Sequence, residues 1–462
     1  MRRRTLRQLC PFFEKPKASA LFVTDAKLDD ALALWIFCML SFGRPADHKV
    51  DLKVLVLGVK DLVAGAALMN HVFSEARAAA SKQRSEKELP TVDCEVFLSE
   101  HPASATIRHE TMTYEPYRTG AAGFPTAASA SESRSMRQWL QDSPGWSADL
   151  VMVCAQYFEY EVVASHAKGA LRMEALSPIL PADGGALVIQ SGFNTRMEAE
   201  EGEGRGAWRS LKQQIEERRA SLVFISNSFS FSQGGPKPGT LSPSDSPFVA
   251  ELKKQSPALW EHLFKAGLSE SLIFATDQMA KWLTKMRMPG VNYEEGGLDR
   301  AINEARATLP DGAVGLDAPG VSSLLLRTFL QERERSGGDA AAPNSVVELC
   351  KTLRSKVEEA AGAKAADYLG RAVGNFEKYG KTVEVTDGQH LLAVFQSRVA
   401  SLVPATIDFQ DPAGLQVDFA ADDAPEGSVW AARDVDAAES LHWMLDAVRL
   451  ENFASLVSNP SA

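Results

Sequence analysis

The sequence predicts an α/β fold: a mostly parallel central sheet flanked by helices, with a helical insertion. Through the first half of the 462-residue chain, short β-branched runs alternate with stretches of helical periodicity. That alternation is typical of parallel sheets with helices on both faces. From about residue 246 to 380 the pattern becomes mostly helical, which predicts the insertion. Hydrophobic residues make up 45% of the chain, an ordinary value for a globular protein.

The elements follow one another in order along the chain. Strands are predicted at 21–24, 52–57, 92–98, 149–153, 186–190 and 222–226, with helices at 29–40, 63–80, 159–171 and 208–219. After the insertion we expect a strand at 383–385, a helix at 388–403, an antiparallel pair over 405–419 and a last helix at 436–450. The turn composition Asp411-Pro412-Ala413-Gly414 joins that pair.

The predicted organisation is a single domain over residues 19–455, carrying the insertion at about 246–380. Residues 1–18 and 456–462 are expected to be terminal tails. No internal repeat is visible in the sequence.

Charge and cysteine usage exclude several classes of partner. The formal net charge is −11, which argues against nucleic acid polymers and anionic membranes. The five cysteines are widely spaced and form no CxxC pair, so we expect a reduced, cytoplasmic protein rather than a disulfide framework or a zinc site. No apolar run is long enough to span a bilayer. A small-molecule partner is therefore expected, and the sequence leaves open whether the chain forms a homo-oligomer.

The densest chemistry lies where the first strand meets the first helix. Asp25 ends the strand, and Asp29 and Asp30 begin the helix. Ligands bind at the carboxyl ends of parallel strands. Three acids within six positions repel one another unless they are neutralised, and Ca²⁺ or Mg²⁺ would do this with oxygen ligands. In the alternative interpretation Asp29 caps the helix, Asp30 is solvated, and Asp25 pairs with Lys27 or another base.

This segment resembles the first strand–helix turn of the inosine-uridine preferring nucleoside hydrolases, whose motif there has the form DxDPGxDDAxA. Asp25, Asp29 and Asp30 match the second, third and fourth acids of that motif. Val23 replaces the first acid, and Ala26-Lys27 replaces the Pro-Gly.

Further segments resemble the family in the same order along the chain. They are a strand-turn-helix at 149–163, a strand end at 186–194 similar to the family's Met-Gly-Gly, the late His-Asp element at 385–388, and the last helix at 434–445. Together these segments extend the resemblance over nearly the whole chain.

The resemblance implies a nucleoside hydrolase-like fold and metal-dependent hydrolysis of the N-glycosidic bond of a purine or pyrimidine ribonucleoside. Asp25 would be the general base and a metal ligand. The other implied ligands of Ca²⁺, with Mg²⁺ as a substitute, are Asp29, Asp30, Asp387 and a carbonyl near Cys154. Asn70, Asn194 and Asn227 would contact the nucleoside, and His390 would assist the leaving base.

The sequence also departs from the family pattern. Thr386 stands where the family has its histidine, and His390 lies one helical turn further on, where it is otherwise an ordinary helix residue. The family's Glu-Phe-Asn ribose element has no clean counterpart. A second hypothesis is therefore a nucleoside hydrolase-like protein that binds or signals without turnover. A haloacid-dehalogenase-like phosphatase ranks last, because Val23 breaks the Asp-x-Asp pair which that class requires.

Overall fold

The computed structural model describes most of the predicted sheet and the helices next to it. The described residues are 12, 14–59, 61–99, 135–154, 179–193, 212–226, 231–232, 235–236, 241–243, 246–260, 382–384, 400–410, 414–419, 429–435 and 437–450. The chain divides into two compact units, one formed by Met1–His262 with Glu384–Ala462 and the other by Leu263–Val383. Of the second unit, only residues 382 and 383 are described.

The strands of the described residues are numbered in chain order. They are β1 (Lys17–Thr24), β2 (Lys49–Val56), β3 (Thr91–Leu98), β4 (Leu150–Val153), β5 (Leu187–Phe193), β6 (Ser221–Ser226), β7 (Phe231–Ser232), β8 (Gly235–Pro236), β9 (Leu241–Pro243), β10 (Thr382–Glu384), β11 (Ala400–Gln410), β12 (Gly414–Phe419) and β13 (Val429–Val435).

The helices are numbered in the same way. They are α1 (Leu28–Phe42), α2 (Leu62–Gln83), α3 (Met136–Asp142), α4 (Pro247–Gln255), α5 (Pro257–Leu259) and α6 (Ala437–Val448), with a 3₁₀ turn at Glu86–Glu88. Residues 212–217 are also helical. None of the described helices is long and apolar enough to cross a bilayer.

Nine strands form one sheet in the order β12-β11-β13-β6-β5-β4-β1-β2-β3. The strands from β3 across to β13 run parallel to their neighbours. Strand β11 pairs antiparallel with both β13 and β12. The predicted α/β class with a mostly parallel central sheet is therefore confirmed, as is the antiparallel pair at 405–419.

The central strands are buried on both faces, which is why they read as continuous apolar runs. On one face, alternate residues such as Leu21, Val23 and Val188 pack with Met136 and Trp139 in a single hydrophobic cluster. On the other face lie α1 and α2, with α6 packed against α1 and α4 packed against α6. Because these strands are parallel, their carboxyl ends lie at the same edge of the sheet.

The helix predicted at 388–403 is wrong at its C-terminal end, because β11 begins at Ala400. Ser401, Leu402 and Val403 pair with β13, a strand the sequence analysis did not predict. Pairing with a strand that lies far along the chain overrides the local helical pattern. The segments predicted as helices at 159–171 and in most of 246–380 lie outside the described residues.

A buried arginine fixes the start of β1. Arg44 is fully buried, and its Nη2 donates to the carbonyls of Lys15 and Phe12, the latter at 3.1 Å. Its guanidinium lies 5.2 Å from the centre of the Phe12 ring. Burial lowers the pKa of Arg44 to about 10. These contacts make part of the predicted tail at 1–18 an ordered lead into β1, which itself begins at Lys17.

The C-terminal segment of the first unit is held by the side chains of Gln83, the last residue of α2, and of Arg84, which follows it. The Nε2 of Gln83 donates to the carbonyl of Val448 at 2.9 Å, and its Oε1 accepts from the Leu450 amide at 3.2 Å. The Nη2 of Arg84 donates to the Leu450 carbonyl at 2.7 Å, and its Nη1 donates to the Gly43 carbonyl at 3.2 Å. The C-terminal helix is thereby tied to a helix from the first quarter of the chain.

A buried carboxylate in α4 predicts a pH-dependent contribution to stability. Glu251 accepts from Gln255 at 2.7 Å and Lys254 at 3.2 Å, and Arg449 lies 3.4 Å away. Burial raises the pKa of Glu251, but these partners outweigh it and leave the pKa below its usual 4.5. Its stabilising effect is therefore present above pH 4.5 and is lost as the pH falls through the lowered value.

We expect Glu251→Gln to lower the free energy of unfolding at pH 7 by about 1–3 kcal/mol. The difference in the free energy of unfolding between Glu251→Gln and wild type should become smaller below pH 4.5, the usual pKa of a glutamate. Urea denaturation between pH 3 and 8 measures it. Glu217→Gln is the matched control, because Glu217 also accepts a hydrogen bond from a glutamine, Gln213, at 2.7 Å, but is exposed. A difference that stays constant with pH in Glu251→Gln would contradict the assignment.

Candidate functional site

The sheet order reverses next to β1, and the candidate site lies at this switch point. Strands β2 and β3 lie on one side of β1, and β4, β5 and β6 lie on the other. In open parallel sheets, ligands bind outside the carboxyl ends of the strands at such a switch point. Asp25 follows β1 and Cys154 follows β4. The Cys154 amide donates to the carbonyl of Val23 at 2.8 Å, so the two strand ends are directly joined.

A hydrogen-bond network closes the turn between β1 and α1. The Oδ2 of Asp30 accepts from the Thr24 hydroxyl at 2.5 Å and from the Asp25 amide at 3.0 Å. The Thr24 hydroxyl accepts from the Ala26 amide at 2.8 Å. Thr24 is fully buried, and Asp30 is only 2% exposed. The alternative interpretation, in which Asp30 is solvated, is therefore wrong on this point, because the Asp30 carboxylate is buried and accepts hydrogen bonds inside the turn.

The backbone of this turn takes a conformation that the family motif does not allow. Ala26 has φ of 54°, in the left-handed region. Proline, which the family motif has at this position, holds φ near −65° and has no amide hydrogen to donate to Thr24. The replacement of Pro-Gly by Ala26-Lys27 thus goes with a different path of the chain.

Lys27 follows directly and supplies a cation to the site. Its Nζ contacts the Oδ2 of Asp25. The Asp25 side chain is 2% exposed and the Lys27 side chain 38%, so the ammonium reaches a buried carboxylate from the surface. The ion pair between Asp25 and Lys27, which belongs to the alternative interpretation of the sequence, is confirmed.

The start of α1 adds a favourable field for negative charge. Lys27 is the N-cap residue and makes no side-chain capping hydrogen bond, while Asp29 and Asp30 lie in the first turn. Carboxylates in that position interact favourably with the positive end of the helix dipole. Asp29 is partly exposed. Because Lys27 is the N-cap, Asp29 is a first-turn residue, and the alternative interpretation, in which Asp29 caps the helix, is wrong on this point.

The other predicted site residues divide into two groups. Cys154 is buried at the switch point, and its role in a metal site stays a prediction. Asn70 lies in α2, about 12 Å along the helix axis from Leu62, the first residue of that helix, at a rise of 1.5 Å per residue. Its carbonyl accepts from Ser74 at 2.9 Å. Asp387, His390, Asn194 and Asn227 lie outside the described residues.

Two polar residues at the same edge of the sheet were missed. Gln190 and Ser191 are 1% and 0% exposed, at the carboxyl-terminal half of β5. Gln190 pairs in register with Val153, which pairs with Val23, so it lies about 10 Å from β1 at the usual strand spacing. The sequence signal was a glutamine-serine pair inside an otherwise apolar strand.

The chemistry of the three acids suits a hard divalent cation, since all are carboxylates. Within the described residues, however, no three His, Cys, Asp or Glu side chains are grouped so as to hold a metal ion. Asp25 already contacts an ammonium, and Asp30 accepts two hydrogen bonds within the turn. The described acids therefore do not form a cation site by themselves.

Comparison with known proteins gives structural similarities only. Neither a protein-family model nor a curated protein matches the sequence. A plant nucleoside hydrolase is similar at 8% identity and a TM-score of 0.39, over 94% of this chain and 99% of that one. The type III effector XopQ, solved in complex with adenosine diphosphate ribose, is similar at 13% identity and a TM-score of 0.38, over 96% of this chain and 93% of that one. A purine-preferring ribonucleoside hydrolase from Gardnerella vaginalis is similar at 10% identity and a TM-score of 0.37, over 95% of this chain and 99% of that one. Values this low identify neither a family nor a substrate for this chain.

The turn network predicts unequal roles for two neighbouring acids. Asp30→Ala removes the acceptor of two buried hydrogen bonds and should lower the free energy of unfolding by about 1.5–3 kcal/mol. Asp29→Ala is the comparison: its carboxylate is partly exposed, and the favourable helix-dipole interaction that it loses is worth about 1 kcal/mol or less, so we expect a smaller loss than for Asp30→Ala. Chemical denaturation of both variants measures the difference. Equal losses would contradict the role given to Asp30.

The left-handed backbone conformation of Ala26 predicts different effects of two substitutions at this position. Ala26→Pro should destabilise the protein by about 3 kcal/mol or more, because the ring excludes the observed φ and the amide donor is lost. Ala26→Gly should be tolerated, because glycine avoids the cost of about 1–2 kcal/mol that a side chain meets in this region. Thermal denaturation tests both. A stable Ala26→Pro variant would show that the turn follows the family's path.

Proposed function

We propose that this protein hydrolyses the N-glycosidic bond of a ribonucleoside, with Asp25 as the general base. The observation that carries the proposal is the position of Asp25, a buried carboxylate at the switch point of a parallel sheet. Sheets of this kind bind ligands outside the carboxyl ends of their strands at the switch point, so a base there lies next to the expected ligand site. The resemblance of the surrounding segment to the inosine-uridine preferring nucleoside hydrolases supports the choice of reaction.

The proposed reaction needs a base, an acid and a negative field. A water oxygen bonds to C1′ of the ribose while the bond from C1′ to the base nitrogen breaks, and its electron pair stays on that nitrogen. Asp25 takes the proton from the water, and the leaving base gains a proton, for which His390 is the proposed donor. The sugar carries oxocarbenium-like positive charge as the bond breaks. Carboxylates fixed around it stabilise that charge.

We further propose that Asp25, Asp29, Asp30 and Asp387 hold Ca²⁺, or Mg²⁺ in its place, with a backbone carbonyl near Cys154. A divalent cation bound there would orient the water and lower its pKa.

The proposed substrate contacts come from three amides. Asn70, Asn194 and Asn227 are proposed to contact the nucleoside. The partner is then a small molecule met in the cytoplasm, which agrees with Cys38 and Cys94 forming no disulfide within the described part of the chain.

A second candidate function is binding of a ribosyl ligand without turnover. The observation that favours it is the ion pair between Lys27 and Asp25, since the ammonium occupies a carboxylate oxygen that an attacking water would need. ADP-ribose carries the same ribose unit and belongs in the ligand panel for that reason. Binding without release of ribose would support this second candidate.

We expect Asp25→Asn to lower kcat by about 10²–10⁴-fold, the usual cost of losing a general base, with a smaller effect on KM. The amide keeps the shape of the side chain but cannot accept the proton. His390→Ala should cost less. The assay is release of free ribose from a panel of nucleosides with added Ca²⁺. Asp93→Asn is the control, because Asp93 is an exposed carboxylate on β3 that pairs with Lys49.

Two results would contradict these assignments. Full turnover by Asp25→Asn alongside an inactive His390→Ala would show that the roles are exchanged or wrong. No release of ribose by the wild type from any nucleoside, with ADP-ribose or a nucleoside still bound, would leave the binding function in its place.

A further inference from the structure

We propose that His48 and Arg44 form a pH-sensitive clasp, which holds the segment before β1 at neutral pH and releases it when His48 takes up a proton. The Nε of Arg44 donates to the Nδ1 of His48 at 3.3 Å, and its Nη2 donates to the carbonyls of Phe12 and Lys15. One guanidinium therefore joins a titratable ring to the main chain of the lead segment, of which Phe12 and residues 14–16 are described. Neither side chain has a role in the proposed reaction, so the inference stands apart from it.

The hydrogen bond between the two side chains requires a neutral imidazole. A guanidinium has donors only, so the Nδ1 of His48 has to be the acceptor and the ring proton lies on Nε2. Protonation places a hydrogen on Nδ1, which abolishes the hydrogen bond and sets two cations against each other. The His48 backbone is held on both sides, because its amide donates to the Pro45 carbonyl at 3.0 Å and its carbonyl accepts from the Thr91 amide at 3.1 Å. The conflict therefore falls on the side chains.

Arg44 has little capacity to absorb the loss where it lies. Its side chain is fully buried, and within the described residues its Nη1 has no hydrogen-bond partner. Loss of the His48 acceptor leaves a second buried donor unpaired, and a buried donor without a partner is costly. The guanidinium relieves that cost by turning toward water. The Phe12 and Lys15 carbonyls then lose their donors, and the lead segment is released.

The charges around His48 set the pH at which this happens. Burial and the neighbouring Arg44 lower the pKa of His48 below its usual 6.5, and Asp47 raises it only in part. The adjoining segments also carry charged side chains, namely Glu14, Lys15, Lys49 and Asp93. The closed clasp favours the neutral ring, so it has its full stability above pH 6.5 and loses it as the pH falls below that value.

The second anchor of the lead segment contains no histidine. The Nζ of Lys15 lies 2.6 Å from the Oδ1 of Asp149, and the Oδ2 of Asp149 accepts from the Ser19 amide at 2.9 Å. Histidine is the side chain whose ordinary titration falls between pH 5 and 8. A change in the order of the lead segment over that range is therefore assigned to the clasp.

The test is hydrogen exchange of the full chain between pH 5 and 8, followed by mass spectrometry. Each rate is divided by the intrinsic rate of an unstructured peptide at the same pH. The peptides over residues 12–20 and 45–50 report release, because the Lys49 amide donates to the Pro16 carbonyl at 2.7 Å. We expect their corrected exchange to rise about tenfold or more from pH 8 to pH 5, as loss of a hydrogen bond to a charged group predicts.

Three variants separate protonation of His48 from other causes. His48→Asn places an oxygen at the position of Nδ1 that accepts at every pH, so the rise should disappear. His48→Lys provides a permanent cation and should exchange quickly even at pH 8. Asp47→Asn removes the exposed carboxylate that raises the pKa of His48, and should move the rise to lower pH. His442→Gln is the matched control: His442 is exposed on α6, 3.9 Å from Asp446, and its loss should leave the rise unchanged.

The inference is overturned if corrected exchange of the wild type is the same at pH 5 and pH 8, or if His48→Asn keeps the wild-type rise. An equal rise over α6 would also overturn it, since that pattern means unfolding of the whole unit rather than release of the lead segment. If His48→Lys does not fold, the comparison of His48→Asn with His442→Gln decides the outcome alone.

Discussion

The Asp30 carboxylate, which accepts from the Thr24 hydroxyl and the Asp25 amide, is the interaction on which the rest of the site depends. It ties the first turn of α1 to the end of β1 and fixes where the helix starts. The fixed turn holds Ala26 in the left-handed region and keeps the Asp25 side chain buried. An acid that in sequence looks like one of three equivalent ligands is thus the internal support for the other two.

The three carboxylates at the switch point are stabilised in different ways within the chain. One carboxylate faces an ammonium, a second accepts hydrogen bonds from the turn, and a third lies partly exposed on the first turn of α1. Each acid therefore has a different environment, although the three stand within six positions. Replacement of Pro-Gly by Ala26-Lys27 changes both the backbone path and the charge. The same acidic spacing can accordingly support sites with different demands for an external cation.

The sequence was sufficient for the parallel sheet because its strands are buried on both faces and therefore read as uninterrupted apolar runs. It was insufficient for β13, whose pairing with β6 and β11 is decided by residues far along the chain. That omission also placed a helix over Ala400, where β11 begins. The three acids were found from spacing alone. The pairing of Lys27 with Asp25 stayed one of two interpretations, because it depends on a positive φ at Ala26 that alanine seldom adopts.

The contacts of Gln83 with Val448 join residues 365 positions apart and have a consequence for synthesis on the ribosome. At about 5–20 residues per second, the two partners are made roughly twenty seconds to more than a minute apart. For the part of that interval between synthesis of β6 and of β13, about 10–40 seconds at the same rate, β6 lacks this neighbour, and an unpaired strand edge is a template for association with other chains. The nascent protein thus has to be shielded from its neighbours until its last helix emerges, and fragments that end before β13 should aggregate when expressed.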